Sequence, residues 1–287
     1  MLPAVQAGAV GAGEDPVPPS PAATVPIRPF TFRELLDTPF ALIQANITAL
    51  LALGAGGIVV AEIVVVALVA SFSGLTGGSD AATWWSAILT TAVCVWLLRY
   101  VLRATTVALG LATVFGTRLD ARGALAQLRG RALPLLIFQI LFTLVGVSVT
   151  ALCFTLVVTA PLVLPWLGRL RATRFAAVPA MFAEHADHAA AVGRAKLLVV
   201  GKEWTLTGLW AAQRALFVLL AIPLLGVPLF LSDFTGTHRW PVIVLLTSAI
   251  MLLVTFGEIV EASSRVLVYV DLRCRREGLD IRVTEVR

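Results

Sequence analysis

With 59% apolar and only 14% charged residues over 287 positions, and a mean hydropathy of +0.92, the chain has too little polar surface for a soluble fold; the lipid bilayer is its expected solvent. A hydrocarbon core of about 30 Å calls for roughly 20 apolar residues per helix, so the chain accommodates several crossings and no large soluble domain. The net charge of +5 sits on arginines that flank apolar runs instead of lining one soluble face, which argues against nucleic acid and for anionic lipid headgroups as the counter-charge.

Residues 1–29 are rich in Ala, Pro and Gly, with Pro16, Pro18, Pro19, Pro21 and Pro26, and predict a disordered tail. They lack the basic-then-apolar layout of a secretory signal. Order is expected from Phe30, where Phe30, Phe32, Leu35, Leu36, Phe40 and Leu42 oppose Arg33, Glu34 and Asp37 on an interfacial helix. A first span is predicted over Ile47–Ala70, followed by a Gly- and Ser-rich outer connection whose only charge is Asp80. The second, Trp84–Phe115, is too long for a simple crossing and carries Arg99 and Arg103 in its inner half. Arg118, Arg122, Arg129 and Arg131 then mark a basic amphipathic segment before a third span, Ala132–Val157.

The fourth span, Pro161–Phe182, places Arg169, Arg171 and Arg174 in its inner half, and Glu184–Glu203 forms the next connection. Leu206–Leu231 is the fifth, leading to a loop with Asp233, His238 and Arg239; the sixth runs from Pro241 to Ser264. Arg273, Arg275, Arg276, Arg282 and Arg287 close the chain. Of the 22 basic residues only Arg239 falls in an outer connection, which orients both termini to the cytoplasm. The reading is an all-α polytopic membrane protein of the inner (cytoplasmic) cell membrane, in which residues 30–287 form six transmembrane helices as three hairpins with amphipathic cytoplasmic segments.

A weak internal repeat supports the hairpin array. Arg103-Ala104-Thr105 recurs as Arg171-Ala172-Thr173, and the same shift maps Ala108 to Ala176 and Ala112 to Ala180. Small residues every fourth position make a flat stripe on which another helix can lie closely.

Charged groups at span depth are the candidate functional residues, because polar groups in hydrocarbon are costly. Glu62, near Thr90 and Thr91 in depth, is either a protonatable relay or substrate contact, or a protonated carboxyl bonded inside the bundle. Arg99 and Arg103, one turn apart, either clamp a phosphate or snorkel to headgroups as anchors, the simpler expectation. Glu258, Glu261 and Arg265 share one helical face and suit an internal ion pair or a carboxylate pair at the cytoplasmic mouth. Glu184, His185, Asp187 and His188 are metal-capable, but no further ligand is evident and a solvated helix is expected. Cys94, Cys153 and Cys274 predict no disulfide. No phosphate-cradling Gly loop, nucleophile with a base, or metal cluster is found, so neither enzyme activity nor a cofactor is expected.

Several motifs nonetheless resemble one family. Arg28, Pro29, Glu34, Asp37, Leu42 and Asn46 look like the entry of a bacterial six-span family, the membrane region associated with glycerophosphodiester phosphodiesterases. Val178-Pro179-Ala180, Glu184, Ala189, Arg194, Leu197, Gly201 and Trp204 look like its central connection. Tyr269-Val270-Asp271-Leu272-Arg273 and Arg275-Arg276-Glu277-Gly278-Leu279-Asp280 look like its close. The resemblance implies the six-span architecture in a stand-alone form. It is not expected to carry the hydrolase activity, because Trp240 follows His238-Arg239 where a Gly is expected and these 287 residues leave no room for the catalytic barrel; Ala195 replaces a frequent Ser.

Two functions are expected from these features, and a third, weaker reading, an enzyme acting on lipid phosphates, would rest on Glu184, His185 and His188. One is a non-catalytic membrane protein that organises protein partners, a second copy of itself, or anionic lipids through its basic cytoplasmic face, with Arg194, Arg273 and Arg276 among the contacts. The alternative is a small-solute or lipid transporter or channel built on Glu62, Arg99 and Arg103.

Overall fold

The structure, a computed structural model, describes residues 25–155, 162–235 and 240–284, and these are helical without any strand. The expected disordered tail up to residue 24, and residues 236–239 of the last loop, lie outside the described residues. In chain order the described helices are α1 (Phe32–Ala45), α2 (Ile47–Leu75), α3 (Asp80–Val114), α4 (Ala121–Thr155), α5 (Val163–Ala172), α6 (Ala177–Ala183), α7 (His188–Val199), α8 (Glu203–Thr235), α9 (Trp240–Glu277) and α10 (Leu279–Thr284).

Five of them, α2, α3, α4, α8 and α9, are long and apolar enough to cross a membrane. The chain is a multi-pass, all-helical membrane protein. The fourth expected span differs: its described part divides between α5 and α6, separated by a turn in which Arg174 N–H donates to Arg171 O at 3.1 Å and Phe175 N–H to Ala172 O at 3.1 Å. Arg169, Arg171 and Arg174 are costly to hide along one helix in hydrocarbon, and the break sets Arg169 over Trp204, Arg171 over Phe142 and Trp210, and Arg174 at a cavity beside His188. At a rise of 1.5 Å per residue, α5 covers about 15 Å, half of a hydrocarbon core.

The basic segment expected before the third span is not separate either, because α4 begins at Ala121 and runs on through Pro134. The 35 residues of α3 and of α4 and the 38 of α9 therefore exceed a bilayer's hydrocarbon by roughly 20–30 Å.

Burial shows which ends project. On α3, Trp84, Trp85, Ile88, Leu89, Val93 and Leu97 are exposed, whereas every residue from Leu102 to Leu111 is buried. On α9, Leu245, Leu252 and Phe256 are exposed, and every residue from Gly257 to Leu272 is buried. One half of the molecule thus offers apolar side chains to lipid, and the other is packed like a soluble core by α1, α6, α7 and the ends of α3 and α9. α8 belongs mostly to the first half, with Val218, Leu219, Ile222 and Phe230 exposed.

Local chemistry fixes the packed half. Thr31 and Glu34 form a reciprocal capping box that starts α1. The small-residue stripe is used as close contact: Ala104, Ala108, Ala172, Ala176 and Ala180 are all buried. Gly110 is where α1, α3 and α9 meet, since a Cβ there would stand 3.0 Å from Leu42 and 3.1 Å from Val266.

Candidate functional site

The boundary between the halves is a layer of charge. Residues at i and i+4 share a helix face, so Arg99 and Arg103 both reach from α3 toward α9. There the Glu258 carboxylate accepts from Arg99 Nε at 2.8 Å and from Arg103 Nε at 2.6 Å. Arg103 Nη1 also donates to Gln139 Oε1 of α4 at 2.7 Å. One turn along α9, Glu261 accepts from Arg265 at 2.6 Å and from Arg214 of α8. Arg265, whose side chain is 0% exposed, continues to the Phe175 carbonyl at 3.5 Å, while Gln213 donates to Ser264 Oγ at 2.6 Å. Arg103 and Glu258 are each 1% exposed, so Arg103 is no snorkelling anchor; it and Arg99 turn inward and ion-pair.

Aromatic rings complete the layer. Guanidinium carbons of Arg171, Arg103 and Arg265 lie 4.6, 5.9 and 6.0 Å from the Phe142 ring centre, and Arg171 also sits 5.4 Å from that of Trp210. Such contacts favour a cation in a dry site but do not neutralise it. Five guanidiniums, those of Arg99, Arg103, Arg171, Arg214 and Arg265, share two carboxylates, Glu258 and Glu261, which leaves an excess of three positive charges among the described residues. Buried donors are left over as well: among the described residues Arg103 Nη2, Arg214 Nε and Arg265 Nε have no hydrogen-bond partner.

The surplus faces a cavity of about 490 Å³ between α3, α4 and α5. Arg99, Arg103, Arg171 and Gln139 line one end of it. Phe142, Gly146, Val147, Ala151 and Phe154, successive members of one α4 face, form its wall with Leu167 of α5. The repeated Arg-Ala-Thr motif thereby acquires a spatial meaning, since its two arginines, Arg103 and Arg171, meet in one cavity.

The remaining candidates form two other groups. Tyr269, Asp271, Arg273 and Arg276 of α9 join Glu184 and Arg194 in a clasp: Tyr269 donates to Glu184 at 2.8 Å, Arg194 bonds Glu184 at 3.0 Å and also Glu277, and Arg273 bonds Glu277 at 2.8 Å. Burial opposes the charge of Arg194, but its bonds to the Glu184 and Glu277 carboxylates prevail and raise its pKa. Arg276 Nε caps the end of α7 at the Leu198 carbonyl, 3.0 Å away. Asp271 accepts the Phe30 N–H at 2.6 Å, and Arg275 binds both Asp271 at 2.9 Å and the Phe30 carbonyl at 2.6 Å. This clasp consumes basic groups that the sequence offered to partners. Arg118, Arg122 and Arg129 stay exposed.

Glu62 stands apart, accepting from Thr247 Oγ1 at 2.7 Å, with its Oε2 buried and without a hydrogen-bond partner among the described residues. His188 opens α7 and lines a smaller cavity with Phe138 and Arg174; burial lowers its pKa, Asp187 partly offsets this and Arg174 adds to it. Among the described residues no three His, Cys, Asp or Glu side chains gather as a metal site.

Gln139, Phe142 and Arg214 were not singled out in the sequence, although Gln139 and Arg214 are polar groups within the predicted third and fifth spans, the same signal that marked Glu62. No family model, curated protein or solved structure matches the chain.

Proposed function

We propose that this is a non-catalytic, anion-binding membrane protein that holds a phosphate- or carboxylate-bearing ligand at the headgroup depth of the cytoplasmic leaflet. The observation that supports it is the excess of positive charge at one end of a cavity, where Arg99 and Arg103 share the single carboxylate of Glu258 and Arg171 lies over the Phe142 and Trp210 rings, with a buried guanidinium nitrogen still unpartnered. Leaving such charge unpaired in a low-dielectric layer is expensive, and an incoming anion supplies both the counter-charge and the missing acceptors. The reading combines the lipid-contact role with the transporter alternative. It shifts the contact from the basic surface, where Arg194, Arg273 and Arg276 already serve the clasp, to the interior.

In this reading the charge-rich, packed half faces the cytoplasm, α5 completes a fourth crossing to give six, and exposed Arg118, Arg122 and Arg129 rest against anionic headgroups. The architecture is then that of the phosphodiesterase-associated membrane region, without its chemistry.

Equilibrium binding in nanodiscs of zwitterionic lipid, with phosphate-bearing ligands both soluble and lipidic, tests the proposal. Saturable binding that weakens tenfold or more in Arg171→Gln is expected. Absence of any saturable anion binding to folded protein overturns it.

A further inference from the structure

We infer that the anion taken by this cavity carries an acyl chain: the ligand is an anionic lipid that enters sideways from the bilayer, its headgroup on Arg99, Arg103 and Arg171 and its chain along α4. The inference rests on the anion-binding reading and adds the ligand class and its route.

The wall of the cavity changes character along its length. Gln139 and the three arginines occupy one end, with Arg171 reaching to Gly146, where a Cβ would lie 4.0 Å from its Nη2. From Gly146 to Phe154 the same α4 stripe runs on for about 12 Å with no charged group. Its hydroxyls are already used: Thr143 donates to the Gln139 carbonyl at 2.7 Å and accepts from Trp96 Nε1 at 3.0 Å, and Thr150 donates to the Gly146 carbonyl at 2.8 Å. The far wall therefore offers apolar contact. A small hydrophilic anion would leave that part filled with nothing it can bind, whereas a chain matches it.

Access points the same way. Beyond the charge layer, Leu102, Ala104, Phe175 and Val266 are buried, so the packed half closes that end of the site. On the other side, around α4 and α5, Leu144, Val147, Phe154 and Trp166 are exposed and apolar, with Val147 62% exposed. Exposed apolar residues at span depth face lipid tails. A soluble anion would have to shed its water and cross hydrocarbon to reach this mouth, at high cost. A lipid already in the leaflet brings its headgroup to the arginines with its chain still in an apolar medium.

Native mass spectrometry of delipidated protein tests this with three probes: phosphatidate, phosphatidylcholine with the same chains, and glycerol phosphate, which has the anion without a chain. Phosphatidate is expected to be retained at least tenfold better than either of the others, and Arg171→Gln to abolish that preference. Ala151→Trp, at an exposed wall position outside the charge layer, is expected to reduce phosphatidate binding tenfold or more while leaving the arginines in place. Glycerol phosphate binding as well as phosphatidate, with no effect of Ala151→Trp, would overturn the lipid inference and leave the anion reading standing. Equal retention of phosphatidylcholine and phosphatidate would overturn both, as would loss of all three probes from folded protein.

Discussion

The two halves of this molecule are built from the same long helices yet are held by different forces. Toward Leu75 and Trp84 the helices present aliphatic side chains to lipid and pack on one another through a small cluster of Val65, Val69, Ala87, Ile243 and Met251, where lipid tails as apolar as leucine give no hydrophobic drive to association. Toward Tyr269 the same α3 and α9 disappear into a core of Leu42, Leu109, Phe175 and Met181 stitched by ion pairs and carbonyl caps. The charge layer at Arg103 and Glu258 is the hinge between these regimes. A single helix can obey membrane rules at one end and soluble-protein rules at the other, and the charged residues mark where the change occurs.

The comparison is broken most severely at that layer. Glu258→Ala leaves the buried Arg103 and the half-buried Arg99 without their carboxylate and is expected to destabilise the fold by about 3–5 kcal/mol, read as a lower midpoint of thermal unfolding in detergent. A midpoint unchanged by this substitution would remove the layer from the fold's energetics. Within the packed half, Asp271→Ala strands the buried Phe30 N–H and frees Arg275; a loss of about 1–3 kcal/mol is expected from the same measurement.

A smaller effect separates the halves by pH. The Arg28 guanidinium and the Thr31 backbone and hydroxyl bonds hold the Glu34 carboxyl down to about 2, below its ordinary 4.5. A depressed folded value means that the stabilising contribution is complete above about 4.5, shrinks as pH falls, and is gone below about 2. The difference in midpoint between wild type and Glu34→Gln should accordingly be constant from pH 7 to 5 and vanish near pH 2; a difference that survives there contradicts the pairing. Least of all, Val60→Ala in the lipid-facing half, where Val60 is 63% exposed, should change stability by no more than about 0.5 kcal/mol.

Span positions were legible in the sequence because hydrophobic length is a strong signal: α2, α3, α8 and α9 begin within four residues of their expected starts. The interior partners of the charges were not. Nothing in the spacing of Arg99 and Arg103 says that their carboxylate stands on α9, because that pairing is set by how helices cross, and an arginine near a span's end reads equally well as an anchor. In the closing motif, charge alone marks Arg273, Arg275 and Arg276 as a cytoplasmic contact surface and resemblance adds Tyr269 and Asp271; these residues instead fasten α1, α6 and α7 to α9. The division of the fourth span followed from three arginines that were visible in the sequence, but whose separate destinations were not.

The bond between the Phe30 amide and Asp271 spans 241 residues of chain. During synthesis α1 emerges from the ribosome long before its acceptor exists, so it has to wait at the membrane surface through the insertion of every later helix. The packed half consequently closes last. Until Asp271 has been made, the Phe30 amide lacks the acceptor that fastens the start of α1 to α9.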